Sequence, residues 1–117
     1  MTHENDTIFG KIIRKEIPAK IVYETEQVIA FHDVSPRAPT HILVVPKKHL
    51  RDLSAAAPED KDILGELLLA AKHVAKLQGI DTSGYRVVIN TGASAGQSVF
   101  HLHVHVLGGR SFAWPPG

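Results

Sequence analysis

Residues 101 to 107 read His-Leu-His-Val-His-Val-Leu, which places three of the chain's eight histidines within five positions. Strict alternation is a strand pattern in which residues two apart share a face. His101, His103 and His105 then point one way, and Leu102, Val104 and Val106 the other. A core explains the apolar side. It does not explain the imidazole side, because each buried ring needs a hydrogen-bond partner and the charged forms repel one another.

Three kinds of chemistry fit such a row. The first is none at all, a solvated face on which histidines happen to fall. The second is metal binding. The outer two Cβ atoms of the row lie about 13 Å apart at ~3.3 Å per residue. Zinc holds imidazole nitrogen at about 2.0–2.1 Å, so ligation by all three is strained. Two of them joined by His41 remain a workable ligand set. The third is nucleophilic attack on phosphorus: partial burial and like-charged neighbours keep an imidazole neutral near pH 7, when it is a good nucleophile. Neighbouring rings can then hold its tautomer, steady phosphate oxygens and move the leaving group's proton.

The segment before the row favours the third reading. Gly92 and Gly96 flank Ala93-Ser94-Ala95, where the backbone can approach a ligand and turn amides toward phosphate oxygens. Ser98 adds a hydroxyl three residues before His101. A hairpin connection explains the glycines equally well, so this loop carries weight only beside the histidines.

Several elements must hold this row in place. Ile8, Phe9, Ile12 and Ile13 recur at helical spacing before Pro18, which predicts a short N-terminal helix. Ile21 to Tyr23 and Val28 to Phe31 read as strands, and His41 to Pro46 as a third, buried on both faces. Asp33 to Thr40 is a loop with two prolines. Pro58 to Leu77 predicts the long helix, with Ile63, Leu64, Leu67, Leu68, Ala71, Val74 and Ala75 as its stripe and Gly79 as its stop. Glu59, Asp60 and Asp62 suit the positive end of its dipole. Tyr85 to Asn90 and Ser98 to Leu107 complete five strands, ended by Gly108-Gly109. Residues 1 to 117 form one domain, an α+β fold with an antiparallel sheet covered by helix on one face; residues 1 to 6 are expected to be a flexible start.

Bulk properties fit this reading. With 117 residues, 44% hydrophobic and 21% charged, the chain can bury one modest core. A formal net charge of +1 gives no field toward nucleic acid or an acidic membrane. The absence of cysteine removes thiolate chemistry and fits a reducing compartment. No apolar run is long enough for a membrane span, and the first residues lack a signal-like core, so a cytoplasmic protein is expected.

The row His101 to Leu107 resembles the signature of the histidine triad family. Asp6-Thr7-Ile8-Phe9-Gly10-Lys11-Ile12-Ile13, Ala30-Phe31-His32-Asp33, Pro39-Thr40-His41 and Gly96-Gln97-Ser98 are similar to its Hint branch. So is the ending from Gly108-Gly109-Arg110 to Trp114-Pro115-Pro116-Gly117. The resemblance implies a purine nucleoside phosphoramidase that hydrolyses the P–N bond of adenosine 5′-phosphoramidates to AMP without a metal or other cofactor. His103 would be the nucleophile of an adenylyl-histidine intermediate. His105 and Ser98 would hold phosphate oxygens, His41 would tune His103, and His101 would assist proton delivery to the amine. Asp33 would take the ribose hydroxyls, and Ile8, Phe9, Ile12, Phe31, Val34 and Leu43 the purine. His32, Asn90, Gly96, Gln97 and Val99 would complete the nucleotide site.

The same apolar residues could be ordinary core, Asp33 a loop cap, and Asn90 part of a turn. The resemblance also implies a homodimer with a ten-stranded sheet, in which the 111 to 117 tail carries Trp114 to the partner's site. A dinucleoside polyphosphate hydrolase and a non-enzymatic purine nucleotide-binding module are the competing expectations.

Overall fold

The computed structural model describes residues 7–117; the start expected to be flexible lies outside the described residues. Two helices, α1 (Ile8–Ile13) and α2 (Lys61–Leu77), accompany five strands: β1 (Ile21–Glu24), β2 (Val28–His32), β3 (Thr40–Pro46), β4 (Tyr85–Val88) and β5 (Val104–Gly108). The strands form one antiparallel sheet in the order β1-β2-β3-β5-β4.

Alternation sorts the central strands into two layers. Val28, Ala30, Ile42, Val44, Val104 and Val106 pack with Leu67, Ala70, Ala71, Val74 and Ala75 of α2. Their strand neighbours Ile29, Phe31, Leu43 and Val45 turn to the opposite face and meet Phe9 and Ile12 of α1. The sheet is therefore covered on both faces, α1 adding a small second layer to the one expected. Thr7 fixes where α1 begins, because its side-chain oxygen accepts the Gly10 amide at 3.1 Å. The α1 layer covers only part of its face, and the uncovered remainder is where the odd-numbered residues His41, His103 and His105 lie.

Three boundaries differ from the sequence expectation by more than one residue. The last strand begins at Val104 rather than Ser98. The β3–β5 ladder ends with Val44 opposite Val104, and β3 stops at Pro46, which has no amide to donate. Leu102 instead donates its amide to the Leu50 carbonyl at 2.7 Å. β4 closes at Val88, short of Asn90. Pro58–Asp60 form a 3₁₀ turn, and the α-helix starts at Lys61. Asp60 is buried there, accepting from the Lys48 ammonium and the Ala57 amide instead of facing solvent at the helix end. Gly79 stops the helix with φ +72°, as its position predicts. Leu68, expected in the buried stripe, is exposed, and Ala70 takes the inward position.

Candidate active site

The histidine row crosses from irregular chain into β5: only His105 lies within the paired strand, with Leu43 and Val88 as its neighbours. The even residues of the row still go to the α2 layer. The imidazoles go to the other side, packed in sequence against α1 and β3. His103 lies edge-on to Phe9, with ring centroids 4.9 Å apart, and 5.0 Å from His105. His105 in turn sits 5.1 Å from His41.

Partner chemistry assigns the tautomers. The Nδ1 of His103 lies 2.7 Å from the His101 carbonyl, which can only accept, so Nδ1 carries the hydrogen. In the neutral ring the lone pair is then on Nε2. The Arg37 amide donates to Nδ1 of His41 at 3.0 Å, so the His41 hydrogen is on Nε2. That nitrogen lies 2.9 Å from Nδ1 of His105 and 3.4 Å from an Asp33 carboxylate oxygen. His105 accepts through Nδ1 and keeps its own hydrogen on Nε2. One ring therefore offers a lone pair and its neighbour an N–H.

Burial keeps these rings neutral. Desolvation lowers the His103 pKa below the usual histidine range, opposed by its bond to the His101 carbonyl and by Asp33. It lowers His41 also, with Arg37 acting in the same direction and Asp33 against it. His105 is brought down to about 4, by burial first and then by His103 and His41. The burial difficulty posed by three adjacent imidazoles is met by giving each ring a partner. Among the described residues no buried side-chain nitrogen or oxygen lacks one.

A cleft of about 1150 Å³ opens on this face, lined by Phe9, Phe31, Asp33, His41, His103 and His105 among others. The remaining apolar residues expected at a base site, Ile8, Ile12, Val34 and Leu43, border it too, as do His32, Gly96, Ser98 and Val99. Val34 is 96% exposed and stands at the rim. Asp33 serves the loop as well, since its other oxygen accepts the Ser35 amide at 2.8 Å.

Three expected site residues are placed elsewhere. Gln97 is buried as a staple: its oxygen accepts the Gly92 amide at 2.8 Å, and its nitrogen donates to the Arg51 and Val99 carbonyls at 2.9 and 3.1 Å. Asn90 does not border the cleft. His101 is 1% exposed, with Nε2 donating to the Pro46 carbonyl at 2.7 Å and Nδ1 facing His49 at 3.3 Å. Both nitrogens are engaged away from the cleft, the side from which a proton would be delivered to an amine. Trp114 is 82% exposed at the tail.

Sequence reasoning missed His49, whose position three residues beyond Pro46 follows no periodicity. It missed Lys20 and Arg37 as well, cationic residues on the cleft wall. Their spacing gave no signal, since separate loops bring them in.

Asp33, His41 and His105 also offer the ligand atoms that could hold a metal, all within 4.8 Å of one another. This set differs from the two-row-histidine set weighed from the sequence, because a carboxylate replaces one imidazole. The same nitrogens already share the His41 hydrogen, so a cation would have to displace that proton.

Comparison with known proteins gives a consistent answer. A family model described as HIT domain matches residues 14–112. An uncharacterized HIT-like protein of Synechocystis sp. is 62% identical over 112 residues, covering 96% of this chain and 97% of its own. A 14 kDa zinc-binding protein of Zea mays is 56% identical over 116 residues, covering 97% and 90%. Among solved structures, a HIT family hydrolase from Legionella pneumophila superposes with TM-score 0.93 at 43% identity, covering 96% of this chain and all of that one. A histidine triad nucleotide-binding protein from Candida albicans superposes at 0.81 with 33% identity, covering 94% and 83%.

Proposed function

The chain belongs to the HIT domain family, and from that premise we propose that it is a purine nucleoside phosphoramidase of the Hint branch. Its fold is that of HIT family hydrolases. The reaction is hydrolysis of the P–N bond in adenosine 5′-phosphoramidates. The observation that carries this reading is the pairing of two opposite tautomers on adjacent rings, a bare Nε2 on His103 and an N–H on His105.

In this reading the His103 Nε2 lone pair forms a bond to the α-phosphorus as the P–N bond breaks. The amine leaves with a proton taken from solvent in the open cleft, giving adenylyl-His103; the water that attacks next returns a proton to solvent. Water then attacks phosphorus, the P–Nε2 bond breaks, and AMP is released. The Nε2–H of His105 donates to a non-bridging oxygen as charge builds there, with Ser98 as a second donor on the cleft wall. His41 holds His105 in the donating form, and His101 positions His103 through its backbone carbonyl. Asp33 accepts from the ribose hydroxyls, and the purine lies among Phe9, Ile12, Phe31 and Leu43. The chain supplies nucleophile and donors itself, so this route calls for no cofactor.

Intact-mass measurement shortly after mixing with adenosine 5′-phosphoramidate tests the reading. An adenylyl adduct that disappears in His103→Ala is expected. A His103→Ala protein that releases AMP at the normal rate would remove His103 from the chemistry. Dinucleoside polyphosphates, assayed alongside, are expected to turn over far more slowly. Binding of AMP without turnover of either substrate would favour the non-enzymatic module.

The assembly proposed with this activity is a cytoplasmic homodimer. Among the described residues no strand pairs with the outer side of β4, and Val87 on it and Leu68 and Leu69 on α2 are exposed. A sedimentation mass equal to one chain would end that proposal. A second reading of the site is cation binding by Asp33, His41 and His105, favoured by the closeness of their ligand atoms. Calorimetric titration with zinc tests it, and no heat of binding in wild type would dismiss it.

A further inference from the structure

The turn after β5 and the loop between β2 and β3 look like mere connections in the sequence, yet they are fastened together beside the cleft. Arg110 directs Nε and Nη2 at one acceptor, the Arg37 carbonyl, at 3.3 and 3.1 Å. Its Nη1 donates to the Ser111 carbonyl at 3.1 Å. The guanidinium also stacks on Phe112, 4.2 Å from the ring centroid. Arg86 packs against the same ring at 5.1 Å and donates to the Ala113 carbonyl at 2.9 Å. A stacked, forked guanidinium loses little further freedom when it bonds, so this contact is better defined than a single surface lysine could make.

Backbone packing supplies an independent sign of the same attachment. Gly109 has φ +88°, and a Cβ there would lie 2.8 Å from Cβ of Pro39. Only glycine lets the turn come this close to the loop.

Arg37 is the residue whose amide fixes the His41 tautomer. Its carbonyl and its amide are thus both committed, one to Arg110 and the other to the histidine relay. We propose that Arg110 is a positioning residue for the hydrolytic site: by holding the Arg37 carbonyl it keeps the Arg37 amide on His41 and His105 in its donating tautomer. Without that amide, the His41 hydrogen can move to Nδ1 and bond water. His105 then donates through Nδ1 to His41 and presents a bare Nε2, which repels a phosphate oxygen. Asp33, 3.4 Å from His41 Nε2, favours the first arrangement, and Arg37 is the nearby cation. Two arrangements of the same proton therefore compete, and Arg110 biases the choice. The catalytic consequence rests on the phosphoramidase reading, while the tautomer exists without substrate.

The test pairs nitrogen NMR of the imidazoles with steady-state kinetics, using the full chain with Arg110→Ala and Arg110→Lys. In wild type, His41 and His105 are expected to carry hydrogen on Nε2. Both variants are expected to lose part of that pattern while His103 keeps its hydrogen on Nδ1. The value of kcat on adenosine 5′-phosphoramidate is expected to fall about tenfold, with KM little changed. Lysine keeps the charge but cannot fork onto one carbonyl while stacked on Phe112, so it should not rescue. Thermal unfolding of each variant separates positioning from loss of the fold. Unchanged His41 and His105 nitrogen signals in both folded variants overturn the proposal, whatever the rates. Failure of the wild-type protein to hydrolyse the substrate would instead overturn the phosphoramidase reading, and the NMR comparison still decides the clamp.

Discussion

His41 and His105 meet at 2.9 Å across β3 and β5, and His49 and His101 meet at 3.3 Å just beyond the ends of the same two strands. Each pair is tied at one end to the backbone, but to opposite kinds of group. The Arg37 amide donates into the first pair, so its hydrogens run toward the cleft and finish on His105 Nε2. The Pro46 carbonyl accepts from the second, so its hydrogens run inward: His49 Nδ1–H to His101, and His101 Nε2–H to Pro46. Exchanging a backbone donor for an acceptor turns a chemical relay into a buried brace. Identical side chains acquire different work from the polarity of one main-chain atom.

The two pairs meet at His103, which touches His105 and bonds the His101 carbonyl, so the largest effect is expected there. His103→Ala should lower phosphoramidate turnover by on the order of 10³-fold or more, measured as AMP release, with circular dichroism unchanged. Breaking the open pair comes next. His105→Ala is expected to reduce kcat by about 10²-fold with little change in stability, since the ring is only partly buried. Breaking the brace should show the reverse balance. His101→Ala leaves the Pro46 carbonyl without its partner and opens a void, with an expected loss of about 2–3 kcal/mol in chemical denaturation. If His101→Ala lost activity to the level of His103→Ala at full stability, the brace assignment would fail.

Acidity sharpens the comparison further. Burial lowers the pKa of His41, His101, His103 and His105 in the folded state from the usual value near 6.5, His105 to about 4. The unfolded chain therefore takes up protons first as pH drops. Stability from these rings is complete above pH 6.5 and lost as pH falls from 6.5 toward 4. Denaturation midpoints for wild type and His105→Asn, similar above pH 6.5, should separate across that window, the wild type losing more as pH falls; parallel curves would contradict the shift. Turnover should also persist below pH 6.5, because His103 stays neutral there. The smallest effect is expected for His49→Ala, about 1 kcal/mol of stability and under a threefold change in kcat, since His49 is the outer end of the brace.

Alternation alone determined the facing of the histidine row: even residues went to the α2 core, and imidazoles to the other side. The helical stripe and Gly79 determined α2 to within a turn, and the motif led to the family. All of these are local properties, in which spacing along the chain equals spacing in space. Tertiary structure decided the rest. It shortened β5 to Val104, because β3 runs out of amide donors at Pro46. It buried Asp60 and Gln97 as staples, brought Lys20 and Arg37 to the cleft wall, and set His49 against His101, all from loops with no periodic signal. Above all it decided the tautomers, hence which ring can attack and which can donate. A histidine's hydrogen is placed by whatever atom lies opposite it, and here those atoms, the Arg37 amide, the Pro46 carbonyl and the His101 carbonyl, come from backbone that no side-chain pattern describes.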